Sequence, residues 1–410
     1  MAGCRMVERW WTGGWRSAAV LAASRLPALW LTAAEQVDLR ALASGAYSPL
    51  VGFLGGRLLL RGSGGGCWGW PVGEPHTEKE GCVKADGGRP LLVTGMPRSA
   101  TSWVGKMLEV SGRFVYVNEP LNPRHPPGRS PGVLCADVEH AFQYISEENE
   151  RLWLAAFQDT VRLRYHPLAE LRRNRSPYDL GRLVKYGSSF TLGRVLGRSA
   201  LIDDPYAVFA APWLARRLGC RVVVIVRSPV GVVSSYKRLG WTPNLAGLLG
   251  QPALLRDWLD PFRTDIAAAL ARPDDPVGQA SLLWRAVYAT VAAYRDQVPG
   301  LEMVRHEDLS LDPVPAFAKL YGHLGLPFGE RVERAVVASS SGGGGGGGQA
   351  AHRWSLSRGG VSKSGAKPLD SRAHLEVWKE RLPPEEIARI RDLTADVASL
   401  YGYATENGRP

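Results

Sequence analysis

Cysteine is scarce in this chain: five residues in 410, at Cys4, Cys67, Cys82, Cys135 and Cys220, odd in number and scattered. None forms a C-x-x-C pair and no paired histidines accompany them, which argues against a zinc site and a disulfide framework. Ordinary reduced thiols in a cytoplasmic protein are expected. An unbroken apolar run long enough for a bilayer is also missing. The most apolar early stretch, residues 17 to 34, contains Arg25 and Pro27, and an arginine alone costs about 2.5 to 3.5 kcal/mol at a membrane centre. Neither stable membrane insertion nor a signal peptide is expected. No fixed-period repeat is present, which excludes solenoids and propellers. The arginines lack aromatic interleaving, which weighs against nucleic-acid binding.

What is present is length and positive charge. A chain of 410 residues can bury a large core without disulfides or metal. Its formal net charge of +11 suits an anionic partner. Residues 61 to 88 are rich in glycine and charge and read as a linker behind a front segment, 1 to 60. A second break, residues 339 to 370, contains seven consecutive glycines and reads as a flexible lid. The main body spans 89 to 338 and closes with a helical part, 371 to 410.

Within that body strands and helices alternate. RPLLVTG (89 to 95), RFVYVNEP (113 to 120), ALIDDP (200 to 205), RVVVIVRSP (221 to 229) and LEMVRHEDL (301 to 309) read as strands. Helices are expected at 100 to 110, at 213 to 219, after 229 and before 301. Continuous Val, Ile and Leu runs suit strands covered on both faces, so the fold class is α/β with a central, mainly parallel sheet and flanking helices. Residues 140 to 199 read as a helical insertion carrying many arginines, either solvated helix faces or a basic wall over an anionic ligand. In the last helix, Ile387, Ile390, Leu393, Val397 and Leu400 are expected on one docking face.

One further absence bears on chemistry. TGMPRSATSW, residues 94 to 103, follows an apolar strand and has the outline of a phosphate-binding loop. In G-x-x-x-x-G-K-[ST], lysine reaches the β and γ phosphates and the hydroxyl holds magnesium. Counted from Gly95, Ala100 replaces the second glycine, Thr101 the lysine, and only Ser102 fits. Strand, turn and helix start remain, so backbone N–H groups still favour an anion. Arg98 adds fixed charge, and Thr101 and Ser102 add hydroxyls. The alternative is a plain helix start capped by Ser99 or Thr101. Arg227 ends the fourth strand and Ser235 follows two turns into the next helix, a pair suited to a second phosphate at the same strand-end crevice. The alternative for Arg227 is a salt bridge with Asp203, Asp204 or Glu307.

PRSATSW resembles the 5′-phosphosulfate loop P-[KR]-S-G-T-[ST]-W of sulfotransferases that use 3′-phosphoadenosine-5′-phosphosulfate (PAPS), and RSPVGVVSS resembles their 3′-phosphate motif R-x-P-x-x-x-x-x-S. The resemblance runs from about 89 to 403 and, through NEPLNP, is closest to the prokaryotic type. It implies a P-loop, nucleotide-kinase-like sulfotransferase fold binding PAPS and a hydroxylated acceptor, a small molecule or carbohydrate, without a required metal. Arg98, Ser99, Ala100, Thr101 and Ser102 would line the phosphosulfate, with Arg98 and Thr101 steadying the leaving oxygen. Trp103 would lie near adenine, and Arg227 and Ser235 would hold the 3′-phosphate. Glu119, at the end of the second strand, is the candidate base, with His125 as its competitor. In the lid, Arg358 is the candidate 3′-phosphate contact.

The chain departs from the family's pattern at Ala100, where glycine is usual, at Asp203, where lysine is frequent, and at Ser228, where His or Asp follows the arginine. Competing readings are a non-catalytic nucleotide-binding or scaffold protein and a P-loop nucleotide kinase. Residues 26 to 55 resemble the opening of ATP sulfurylase through Asp38, Leu42, Gly45, Tyr47, Ser48, Pro49, Leu50, Gly52 and Phe53, but that enzyme's Q-x-R-N and H-x-x-H elements are absent. A remnant or docking module that recruits sulfate-activation enzymes is the expectation.

Overall fold

The computed structural model describes residues 88–123, 138–173, 177–341 and 371–403. Five strands form one sheet: β1 (Leu91–Gly95), β2 (Phe114–Asn118), β3 (Ser199–Asp203), β4 (Arg221–Val226) and β5 (Glu302–Arg305), in the order β2-β3-β1-β4-β5. Every pairing is parallel, with Val93 opposite Asp203 and Val223, Asn118 opposite Asp203, and Val226 opposite Arg305.

The sheet is covered on both faces, and alternate strand residues divide between two core layers. Leu92, Val115, Ile202, Val222, Val224 and Val226 enter one layer with Trp284, Tyr288 and Tyr294. Leu91, Val93, Leu201, Val223 and Ile225 enter the other with Phe317, Tyr321 and Val336. The helices that matter below are α1 (Thr101–Glu109), α2 (Pro177–Val195), α3 (Ala211–Leu218), α4 (Pro229–Leu239), α5 (Pro276–Tyr294), α6 (His306–Leu311), α7 (Glu330–Ser340) and α8 (Pro384–Leu400). The stretch between β2 and β3 also holds the helices Leu154–Val161 and Pro167–Arg173 before α2.

Two expectations need correction. The fifth strand stops at Arg305, and HEDL begins α6, with Glu307 and Asp308 in its first turn where the helix dipole favours them. In α8 the buried positions are Ile390, Thr394, Val397 and Ala398, whereas Leu393 and Leu400 are 40% and 61% exposed. Steps of four and three residues keep 390, 394 and 397 on one stripe, and the heptad pair 393 and 400 falls on its flank.

Because all strands run the same way, their C-terminal ends share one edge. That edge carries the loop after β1, Glu119 after β2, Asp203 and Asp204 at β3, and Arg227 after β4. The strand order reverses between the β3 and β4 sides of β1, which is where ligands bind in open α/β sheets.

Candidate active site

The loop between β1 and α1 is an anion cradle by backbone geometry. Arg98 (φ 77) and Ala100 (φ 76, ψ 26) are both left-handed, and Ala100 is the N-cap of α1. Left-handed residues ahead of a helix start are the backbone form from which N–H nests are built, and here the Ser99 N–H between them donates to the Met96 carbonyl (3.0 Å). The glycine-type conformation is therefore kept although the side chain is alanine, at a cost of about 1 to 2 kcal/mol per residue. Gly95 (φ 151) has no such freedom, since a Cβ there would strike the Ile225 carbonyl of β4. The loop is tied down from below: the Met96 N–H donates to the Tyr288 hydroxyl (3.2 Å), which donates to the Ile225 carbonyl (2.9 Å). Ser99 is fully buried and Thr101 nearly so.

The β4 side is cationic. Arg98 Nε donates to Ser235 Oγ (3.0 Å), and Arg227 Nη1 donates to the Arg98 carbonyl (3.0 Å). Trp284 Nε1 on α5 fixes the Arg227 carbonyl (2.9 Å). The two arginines and Ser235 are thus brought together from β1, β4 and α4. Burial lowers the pKa of both guanidiniums, with Arg238 adding to the effect on Arg98 and Glu307 opposing it on Arg227. Among the described residues neither has a carboxylate within 4 Å. Glu307, a candidate partner of Arg227, instead accepts from the Ser228 N–H (2.9 Å) and the Tyr403 hydroxyl (2.6 Å).

The β2–β3 side is acidic. Glu119 is left-handed (φ 44); its N–H donates to the Asp203 carbonyl (2.8 Å) and its Oε2 accepts from Asn122 Nδ2 (2.6 Å). Burial pushes its carboxyl above the ordinary range, and the Asn122 bond pulls the other way. Asp203 is fully buried, accepts from the Tyr116 hydroxyl, and is pushed up to about 6 chiefly by burial. Asp204 caps the turn Pro205–Ala207 by accepting from the Tyr206 N–H (2.8 Å) and braces the segment after Glu119 by accepting from the Leu121 N–H (2.6 Å). Of the five described non-glycine residues with positive φ, Arg98, Ala100 and Glu119 lie at this edge, and backbone strain concentrates at functional sites.

Trp103 takes a different direction from the arginines. Its ring packs edge-on against Phe317 (5.2 Å) and its N–H donates to Ser339 (2.9 Å) near the end of α7. His125 and Arg358 lie outside the described residues, as do the lid from 342 to 370 and the front segment. Tyr116, Trp284 and Tyr288 were missed from sequence. The signal for the last two was a Trp and a Tyr at i, i+4 within an otherwise apolar helix, since buried aromatics with a polar tip seek a partner.

A parallel sheet whose central strand ends in a left-handed loop leading into a helix, with two arginines beside it, is the framework of a P-loop fold. The chain belongs to the sulfotransferase family: residues 90–330, more than half of the chain, match that family. The sulfotransferase domain from the curacin biosynthetic pathway is 15% identical, covering 77% of this chain and 98% of that one, with a TM-score of 0.41. A mouse sulfotransferase complexed with PAP is 13% identical over 77% of this chain and 89% of its own, with a TM-score of 0.38. At the N-terminus, the sulfate adenylyltransferase of Symbiobacterium thermophilum is 47% identical over 53 residues, which are 13% of this chain. The chain thus spans only 14% of that enzyme's length. No helix among the described residues is long and apolar enough to cross a membrane.

Proposed function

We propose that this sulfotransferase moves the sulfuryl group of PAPS to a hydroxyl of a small molecule or carbohydrate. The carrying observation is that Arg98 and Arg227 are joined through Ser235 and the Arg98 carbonyl beside an anion nest, and neither has a carboxylate partner within 4 Å among the described residues. Two fixed cations beside a nest suit a ligand with two separate phosphate groups. Thr101 in the lysine position suits a phosphosulfate better than a metal-bound triphosphate.

In this mechanism the acceptor oxygen attacks sulfur in line, the S–O bond to the 5′-phosphate breaks, and the acceptor's proton passes to Glu119. Arg98, Thr101, Ser102 and the nest N–H groups stabilise charge on the departing phosphate. Arg227 and Ser235 hold the 3′-phosphate, Ser99 and Ala100 line the cradle, Trp103 lies near adenine, and Arg358 is a further 3′-phosphate contact. The raised pKa of Glu119 supports a base role, because proton transfer is most efficient when the base's pKa approaches the working pH. Residues 89–338 and 371–410 form the transferase unit in this reading, and residues 1–60 recruit the enzymes that make PAPS. Deleting 1–60 then abolishes complex formation with ATP sulfurylase and leaves sulfate transfer intact.

The test is incubation with PAPS and a panel of alcohols, phenols and sugars, read by mass spectrometry. Addition of one sulfate to a hydroxylated acceptor, lost in Arg98→Ala, is expected. Transfer at full rate by Glu119→Ala would remove Glu119 as the base.

A further inference from the structure

The surroundings of Asp203 are unusual for a carboxylate. The residue ends β3 beside β1, has no solvent exposure, and uses Oδ2 to accept from the Tyr116 hydroxyl. Its Oδ1 is buried and meets no donor at full hydrogen-bond geometry, while the Thr101 and Ser102 hydroxyls lie close enough to favour its ionised form. The first turns of α1 lie directly on it, since a Cβ on Gly105 would sit 3.3 Å from Asp203 Cβ and 3.1 Å from the Tyr116 ring. The cation of that helix does not reach it: Lys106 Nζ lies 3.3 Å from the Tyr116 ring centroid and bonds Glu109 (3.1 Å).

The groups facing Asp203 are Tyr116 from β2 and Glu119 just after it, the Thr101 and Ser102 hydroxyls from α1, and its chain neighbour Asp204. Asp203 thus faces two further carboxyls and has no cation within ion-pair distance among the described residues, directly under the N-terminus of α1 and the loop read above as the phosphosulfate cradle.

We propose that Asp203 takes up one proton from solution when the 5′-phosphate group of the nucleotide binds, so that cofactor binding is coupled to neutralisation of this buried carboxyl. The inference rests on the reading of the loop as a bisphosphate site. Its physical basis is charge and direction. An ionised Asp203 only accepts, so it draws the Thr101 and Ser102 hydrogens towards Oδ1 and away from the cradle. It also adds a negative charge in a low-dielectric interior beside an incoming anion, where repulsion is strong. A proton on Oδ1 removes the charge and turns that oxygen into a donor, leaving the hydroxyl hydrogens free to point at the phosphate. Only the Oδ1–H bond is formed. Burial has already lifted Asp203 to about 6 in the unliganded protein, and a nearby anion that pushes it well above neutrality makes the bound form hold the proton at neutral pH.

The test is calorimetric titration of the full chain with adenosine 3′,5′-bisphosphate from about pH 5.5 to about pH 8.5, in buffers of different ionisation enthalpy. Asp203→Asn reproduces the neutral form. Relative to that variant, wild type is expected to absorb close to one extra proton near neutrality and to lose affinity by up to about tenfold per pH unit above the free carboxyl's pKa. Titration of the ligand's own phosphates is common to both proteins and cancels. Tyr116→Phe removes a hydrogen bond that favours the ionised form, so the fall in affinity should move to higher pH. Equal proton uptake and parallel pH profiles in wild type and Asp203→Asn overturn the proposal while leaving the bisphosphate site intact. Absence of bisphosphate binding by both proteins at every pH overturns the site itself.

Discussion

The two halves of the strand-end crevice differ in charge although one sheet builds both. On the β4 side, Arg98 donates to Ser235 and Arg227 donates to the Arg98 carbonyl, and burial lowers both pKa values. On the β2–β3 side, Glu119, Asp203 and Asp204 cluster with Tyr116, and burial raises all three carboxyls. Both shifts disfavour charge, yet in opposite chemical directions: the arginines stay cationic because their ordinary pKa is far from neutral, whereas the carboxyls are brought towards it. In the proposed reaction one half would therefore hold fixed anions and the other would be where protons move. The difference assigns nucleotide and acceptor to separate halves of the crevice in the proposed reaction.

The sharpest way to break that comparison is Glu119→Gln. The loss expected is about a hundredfold to ten-thousandfold in kcat, with bisphosphate affinity nearly unchanged, checked by steady-state rates beside calorimetry. An equal loss in affinity would erase the division between the halves. The same carboxylate gives the pH profile its acid limb, because a base works only when ionised. Activity should fall as pH drops through a Glu119 pKa lying above the ordinary carboxylate range, and that limb should vanish in Glu119→Gln. On the cationic side, Arg227→Ala should weaken adenosine 3′,5′-bisphosphate by about ten- to a hundredfold through loss of charge-assisted hydrogen bonds, measured by calorimetry, without moving the acid limb.

Smaller effects test the strain and burial behind the comparison. A carboxyl whose folded-state pKa rises from 3.8 to about 6 imposes no penalty below the lower value, and its full penalty above the higher one. Asp203→Asn should therefore stabilise the protein by about 1 to 3 kcal/mol near pH 8, the gain fading to nothing by about pH 4. Denaturant unfolding at the two pH values reads this directly. Ala100→Gly relieves a left-handed alanine but adds chain entropy, for a net gain of about 0.5 to 1 kcal/mol and a Tm rise of about 1 to 3 °C.

The basic half was legible in the sequence because its parts are local. The loop follows a strand directly, and Arg227 and Ser235 lie eight residues apart across one strand end and one helix. Continuous apolar runs gave away the strands for the same reason, since a buried parallel strand needs no partner to look apolar. The acidic half was only partly visible. Tyr116 and Asp203 are 87 residues apart and meet because β3 inserts between β1 and β2, an order that no local pattern encodes. Ala100 read as a departure from the glycine pattern, and its left-handed backbone shows the loop keeping its shape despite the methyl group. The strand expected through residue 309 ended early because His306, Glu307 and Asp308 form a helix turn after only four strand residues.

What the loop after β1 and its two arginines hold decides the chemistry of the crevice. Calorimetry comparing adenosine 3′,5′-bisphosphate in the absence of metal with ATP and magnesium measures that directly. Tight, metal-independent binding of the bisphosphate with weak binding of MgATP is the predicted result, and a preference for MgATP would contradict it.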